Sequence, residues 1–184
     1  MPIGGGFRYG RLRARLIDTV RVMEIRRLTT DDADQAARLY LQSAEYHRGL
    51  APDFYRVPNL RSVIGHFLKM VETSESEPLA CFVADLDGAV VGIVTVRLFD
   101  PPSPYSMTRP VETALVDIVV DENQRRRGIG AALMQTAEAW ARDQGAVNLI
   151  LDMLRSNQPA MAFYGALGYE EHGALLLKRG IAPG

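Results

Sequence analysis

"QRRRGIGAALM", residues 124–134, decides how the rest of the chain is interpreted. Three consecutive arginines precede two glycines that are separated by one residue, and an apolar, alanine-rich helical pattern follows at once. Glycines at the start of a helix leave backbone N–H groups unpaired, and the arginines add positive charge. The stretch therefore predicts a site for an anion, and a phosphate is the expected anion.

Two common phosphate motifs do not fit this stretch. A dinucleotide fingerprint requires a third glycine at position 133, where Leu133 stands, and a P-loop requires a lysine and a hydroxyl residue where Ala131 and Ala132 stand. A pyrophosphate that is bound but not split fits the remaining pattern, with Arg126 and Arg127 reaching a further phosphate. A solvated arginine run at a helix start is the alternative.

Composition bounds the other possibilities. The 184 residues are 47% apolar, which is enough for one substantial core, and the formal net charge of −1 argues against nucleic acid or an anionic membrane as the main partner. One cysteine, Cys81, and three scattered histidines predict neither a disulfide nor a metal site. Without an apolar run of membrane length or a secretory signal, the sequence predicts a cytoplasmic protein.

The pattern of apolar residues predicts one α/β domain over residues 23–184, preceded by a basic extension, residues 1–22, that we expect to be disordered. The predicted order is βααβββαβαβ in a mixed sheet with helices on both faces. Asp87-Gly88 predicts a hairpin turn, Thr30 and Asn157 predict helix caps, and Gly168 predicts a helix end. Residues 113–120 and 147–154 predict buried strands, and residues 174–179 predict the last strand.

A second motif stands about thirty residues after the glycines. "VDENQRRRGIG", residues 120–130, is followed by "NQPAMAFYGALGY", residues 157–169. Together, in this order and across a helix and a strand, they resemble the signature of the GNAT superfamily of acyl-CoA-dependent N-acetyltransferases, over residues 23 to about 180. Glu122 stands where the family has proline, and Arg126 stands where it has glycine.

The resemblance implies the family's fold and its cofactor, acetyl-CoA. The fold would be a mixed, mostly antiparallel twisted sheet of six to seven strands with about four helices on both faces. Backbone groups of β-strand residues would bind the pantetheine arm, amides of the glycine loop would hold the pyrophosphate, and two side chains of the second motif would lie beside the arm and the sulfur. The implied cofactor-binding residues are Ile118, Val119, Val120, Arg125, Arg126, Arg127, Gly128, Ile129, Gly130, Ala131, Asn157 and Tyr164.

Acetyl transfer to an amine needs a proton acceptor, a donor to the oxyanion and a proton for the departing thiolate. Tyr164 is predicted to be the general acid, and a backbone N–H of Val119 or Val120 is predicted to be the oxyanion donor. Asp117 is the candidate base, because a carboxylate that interrupts an apolar strand is costly to bury unless it is paired or functional. A purely local hydrogen bond at a sheet edge is the alternative for this acid.

Further candidates are less defined. Glu45 and Glu112 are fallback bases, while Tyr46 and His47 are predicted to line the acceptor pocket. No residue is placed as a covalent acyl carrier, so direct transfer in a ternary complex to a small-molecule or protein amine is the leading hypothesis. Exposed edge strands make a homodimer possible, but the sequence does not establish one. A non-catalytic acyl-CoA sensor is the alternative, and a nucleic-acid surface built on the arginines is a third interpretation.

Overall fold

The computed structural model describes residues 23–98 and 113–173, and the nine regular elements in these ranges follow the predicted order. The basic extension, the loop before the fourth strand and the predicted last strand at 174–179 lie outside the described residues, so a sixth strand stays a prediction. The elements are β1 (Met23–Arg27), α1 (Ala33–Leu50), α2 (Leu60–Thr73), β2 (Leu79–Leu86), β3 (Ala89–Leu98), β4 (Thr113–Val120), α3 (Ile129–Asp143), β5 (Asn148–Ile150) and α4 (Gln158–Ala166).

The five described strands form one mixed sheet in the order β1-β2-β3-β4-β5. The first three pairings are antiparallel, and β4 pairs with β5 in parallel. At the β2–β3 turn both Asp87 and Gly88 have positive φ, 55° and 87°, as a tight two-residue hairpin requires. The predicted hairpin and the mostly antiparallel character of the sheet are therefore confirmed.

Helices cover both faces of the sheet, as the sequence predicts. On one face α3 packs through its apolar stripe, in which Ile129, Leu133 and Ala137 are buried and Trp140 is partly buried. On the other face α1 and α2 pack together, and Val63, Phe67 and Met70 of α2 point into this second core. None of the helices among the described residues has both the length and the apolar character that a bilayer span requires.

The start of α1 differs from the prediction, because a short turn that ends in an aspartate precedes the helix. The sequence predicts Thr30 as the cap, but a short 3₁₀ turn, Thr30–Asp32, precedes the helix. The Asp32 carboxylate accepts from the backbone N–H and the hydroxyl of Thr29, both at 2.8 Å, and from two nitrogens of Arg26 at 2.7 and 2.8 Å. Arg26 also donates to Asp85 on β2 at 2.8 Å. This buried network ties the first helix to the edge of the sheet.

The strand predicted over residues 147–154 is much shorter in the structure. β5 contains only Asn148–Ile150, and its first residue is exposed while the other two are partly buried. It pairs with β4 only from Thr113 to Leu115, which leaves residues 116–120 of β4 without a partner strand on that side among the described residues. The apolar run predicts too long a strand, because Leu151 packs against the α3 core although its backbone does not continue β5. The sheet consequently opens beside the second half of β4.

Candidate active site

The open edge of β4 presents backbone groups from alternate residues. The Asp121 N–H donates to Val91 O of β3 at 2.9 Å, and β4 pairs with β3 in register from Ala114 to Val120. Because backbone groups alternate sides along an antiparallel strand, Val119 turns its N–H and C=O toward β3, while Ile118 and Val120 turn theirs toward the opening. Of the two predicted oxyanion donors, Val119 therefore turns its N–H away from the opening. Val120 is the one of the two whose N–H faces the opening.

The glycine loop supplies a run of unpaired amides at the end of this edge. The first helical hydrogen bond of α3 runs from Ala132 N to Gly128 O, at 3.0 Å, and no amide from residue 125 to residue 131 donates to another described residue. These N–H groups gather at the positive end of the α3 dipole. Beside them the buried Gln124 Oε1 has no hydrogen-bond partner among the described residues. The amides suit a pyrophosphate, whose oxygens are acceptors only, whereas the Gln124 oxygen is itself an acceptor and does not contribute to that fit.

The two glycines of the loop have different physical roles. Gly128 has φ 82° and open space around its missing side chain, so backbone conformation is what requires glycine there. At Gly130 a Cβ would lie 3.0 Å from Phe163 Cζ, so this glycine allows α4 to approach the start of α3. Arg126 also has positive φ, 65°, at the position where the family motif carries glycine. The three loop arginines are all exposed.

Asn157 and Arg125 meet through a tyrosine of α1. The Asn157 Oδ1 caps α4 by accepting from Ala160 N at 3.3 Å, as predicted, and it also accepts from the Tyr46 hydroxyl at 3.2 Å. The Arg125 guanidinium lies 5.7 Å from the centre of the Tyr46 ring, and its Nε donates to Val120 O at 3.2 Å. Tyr46, which the sequence predicts to line the acceptor pocket, thus contacts the predicted cofactor residues.

Tyr164 lies in the second motif with its ring partly buried between two aromatic neighbours. The ring centres of Phe163 and Tyr169 are 5.1 and 5.7 Å from its own. Burial, and then the negative charge of Asp117, raise the pKa of Tyr164 to about 12. The phenol is therefore protonated at neutral pH, and its hydroxyl makes no hydrogen bond to another described residue. That is the state that a general acid needs before it acts.

Asp117 lies at the middle of β4, opposite Thr95 of β3. Asp117 is exposed to solvent, and neighbouring protein atoms partly desolvate its carboxyl group. Desolvation raises the pKa of the carboxyl, against the lowering by the Ile118 N–H and by nearby His47. Its charge in turn raises the pKa of Tyr40 and of Tyr164. Asp117 is therefore close enough to both phenols to affect their ionisation.

A cavity of about 50 Å³ adjoins Asp117 on the face covered by α1 and α2. Asp117 is the one carboxylate among its described lining residues, and the helices contribute mainly aromatic and apolar side chains. His47 stands near this region, with Nδ1 2.9 Å from Ser43 O and its ring centre 5.5 Å from that of Tyr55, the two rings tilted by 41°. The described lining residues are Tyr40, His66, Phe67, Met70, Ile93, Thr95, Asp117, Ile118 and Val119.

The structure brings together most of the residues selected from the sequence. The fallback base Glu45 pairs with Arg48 on the exposed side of α1, at 2.6 Å, and Glu112 lies outside the described residues. Sequence reasoning missed Gln42, whose Oε1 accepts from Glu122 N at 3.0 Å and so ties α1 to the start of the loop. Gln42 stands four residues before Tyr46, so both side chains lie on one face of α1. This spacing is the sequence feature that points to Gln42.

The sequence profile of the Acetyltransferase (GNAT) family matches residues 44–169 of this chain. The chain belongs to this family. An uncharacterised N-acetyltransferase of Bacillus subtilis, YhfO, is 30% identical over 149 residues, which cover 81% of this chain and 91% of that protein. Human N-acetyltransferase 8 is 37% identical over 99 residues, which cover 53% of this chain and 42% of the human protein. The matched part of the GNAT chain thus spans less than half of that human relative.

Solved structures share the fold at low sequence identity. A mutant of the BH1408 protein of Bacillus halodurans superimposes with a TM-score of 0.76 at 24% identity, over 86% of this chain and 99% of that one. The aminoglycoside N-acetyltransferase AAC(6')-Iy in complex with CoA has a TM-score of 0.67 at 18% identity, over 91% of this chain and all of the other. Both comparisons support the GNAT architecture of the described elements.

Across residues 23–98 and 113–173, no three His, Cys, Asp or Glu side chains lie together as a metal ion would require. Cys81 is buried, and burial raises the pKa of its thiol to about 12. The single cysteine of the chain is therefore a poor nucleophile.

Proposed function

We propose that this protein transfers an acetyl group from acetyl-CoA to a primary amine, directly and within a ternary complex. Three features along one part of the chain support the proposal. The open edge of β4 leads into the unpaired amides of residues 125–131, Asp117 lies on the same strand, and its charge raises the pKa of Tyr164. A cytoplasmic location and a homodimer stay predictions from the sequence.

The residues beside the open edge of β4 fit the donor. Backbone groups of Ile118 and Val120 would bind the pantetheine arm as a partner strand does, and the amides of residues 125–131 would hold the pyrophosphate. Arg126 and Arg127 are exposed beside the loop and are available for a further phosphate. When bound, acetyl-CoA supplies an acetyl thioester, which is the activated acyl group of the reaction.

Asp117 would remove a proton from the acceptor. A lysine-like amine has a pKa near 10.4, so less than about 0.1% of it is neutral at pH 7. A carboxylate with a raised pKa accepts a proton more readily than an ordinary surface aspartate, and Asp117 is such a group. Its charge and the aromatic and apolar lining of the adjoining cavity favour a cationic amine on an apolar stem.

Tyr164 would hold the proton that the departing thiolate needs. Its phenol is protonated at neutral pH because even an ordinary tyrosine has a pKa near 10. Burial and the Asp117 charge raise the pKa of Tyr164 further, to about 12. The Val120 N–H faces the opening and would donate a hydrogen bond where negative charge develops on the acyl oxygen. The inert Cys81 thiol favours direct transfer over a cysteine-bound acyl intermediate.

Two measurements on one preparation test the proposal: calorimetric titration with CoA, and thiol release from acetyl-CoA with a panel of amines. We expect CoA to bind and at least one amine class to stimulate thiol release. Tyr164→Phe should retain CoA binding and lower turnover by roughly 10²–10⁴. CoA binding without release for any amine would support an acyl-CoA sensor, whereas absence of CoA binding would contradict the proposed donor.

A further inference from the structure

We propose that Tyr46 is a positioning residue for the cofactor, which holds the Asn157 side chain so that its amide NH₂ group faces a carbonyl acceptor on the pantetheine arm. This inference rests on the proposed function, because it concerns the same donor. The sequence predicts that the C-terminal part of α1 lines the acceptor pocket. The same part of α1 would also contribute to cofactor binding.

The orientation of the Asn157 amide follows from its two partners. Ala160 contributes a backbone N–H, which can only donate, so the Asn157 atom that faces it must be the oxygen. The Tyr46 hydroxyl lies 3.2 Å from that same oxygen and donates to it. Both partners therefore lie on the Oδ1 side, and Nδ2 makes no hydrogen bond to another described residue. Two N–H donors of a nearly buried side chain thus remain for a ligand.

Tyr46 is placed beside the open edge of β4 by the position of its helix and by one contact of its ring. Four residues earlier on α1, Gln42 accepts from the Glu122 backbone N–H, which fixes the helix against the start of the glycine loop. The Arg125 guanidinium lies over the Tyr46 ring while its Nε donates to Val120 O. Tyr46 consequently lies between Asn157, the cap of α4, and Arg125, which binds the Val120 carbonyl.

Calorimetric titration of CoA into four full-length proteins tests this role: the wild type, Tyr46→Phe, Asn157→Asp and the double variant. Asn157→Asp keeps oxygens for Ala160 N–H and for the Tyr46 hydroxyl but removes the NH₂ donors. Tyr46→Phe removes one hydrogen bond and should weaken CoA binding about 3- to 10-fold. If Tyr46 acts through the NH₂ group, the double variant should bind CoA no more weakly than Asn157→Asp alone.

A side-chain readout separates positioning from general destabilisation. In ¹H–¹⁵N spectra of the CoA-free protein, the Asn157 NH₂ signals should shift in Tyr46→Phe, and in turnover assays KM for acetyl-CoA should rise while kcat is retained. Tyr169→Phe, which removes a hydroxyl that donates to Glu138 at 3.1 Å, is the matched control and should leave CoA affinity unchanged.

Three results would overturn the inference. The first is unchanged CoA affinity in Tyr46→Phe, and the second is a fully additive loss in the double variant, which would mean that Tyr46 acts independently of Asn157. The third is an equal loss in Tyr169→Phe, which would reduce the effect to destabilisation. A wild-type protein that does not bind CoA would instead contradict the proposed function itself, so the two failures are distinguishable.

Discussion

Replacing Asp117 by asparagine should lower the pKa of Tyr164, because the carboxylate charge opposes formation of a phenolate nearby. The pKa of Tyr164 is raised from 10.0 to about 12, and burial is a larger cause than Asp117. The carboxylate therefore accounts for less than half of the rise, so Asp117→Asn should lower the pKa by up to about 1 unit, which is about 1.4 kcal/mol. The phenol should still titrate above its ordinary value, since its burial is retained.

The titration is best followed by NMR of tyrosines labelled with ¹³C at Cζ, between about pH 9 and the onset of alkaline unfolding, so that the rise toward the phenolate is sampled from below the ordinary pKa of tyrosine. Tyr164→Phe assigns the signal. Glu138→Gln is the matched control, because Glu138 raises the pKa of Tyr169 and is not among the causes acting on Tyr164. An unchanged or higher Tyr164 pKa in Asp117→Asn would refute the conclusion that these two groups share one site.

Three further predictions concern stability, measured by urea unfolding. Gly92→Ala should cost roughly 1–3 kcal/mol, because its Cβ would lie 2.8 Å from a buried leucine methyl, whereas Gly65→Ala in open space on α2 should stabilise; equal effects would contradict this. Arg26 lowers the pKa of Asp32 from 3.8 to about 2. Above roughly pH 4 the ionised Asp32 should therefore contribute about 2 kcal/mol to the free energy of unfolding, and this contribution should be lost as the pH falls through 2. Asp32→Asn should abolish that pH dependence. Arg126→Gly should gain about 0.5–1 kcal/mol by relieving positive φ, and a loss would argue against strain there.

Much of the fold was readable from local chemistry. The Asp87-Gly88 turn, the Asn157 cap and the apolar stripe of α3 each depend on a few neighbouring residues, and each is found where the sequence predicts it. The predicted start of α1 is wrong by a short turn because Asp32 is held by Arg26, which also binds Asp85 across the sheet, and spacing does not encode such a long-range network.

The length of β5 shows the same limit from another direction. The apolar run resembles a longer strand because apolar side chains satisfy the α3 core whether or not their backbone pairs with β4. The early end of β5 opens the edge of β4 on which the proposed cofactor site depends, so a boundary that the sequence predicts poorly matters for the proposal.

A motif or an anomaly in the sequence marks several of the candidate site residues, whose roles stay predictions. Asp117 stands out as a charge in an apolar strand, and Tyr164 and the glycine loop belong to family motifs. The orientation of the Val119 N–H required the strand register, and the contacts of Tyr46 and Gln42 required the position of α1 against the loop. The strand register and these contacts join residues that are far apart in the sequence, so no local sequence pattern predicts them.

Mass spectrometry of the acceptor tests directly whether the protein transfers an acetyl group from acetyl-CoA to a primary amine. The protein is incubated with acetyl-CoA that carries a deuterated acetyl group and with a panel of primary amines, and the amines are analysed for the label. We expect a labelled N-acetyl product from at least one amine class, no label on the protein as a carrier, and product formation lowered by roughly 10²–10⁴ in Tyr164→Phe. Unlabelled amines throughout, in a protein that binds CoA, would contradict it.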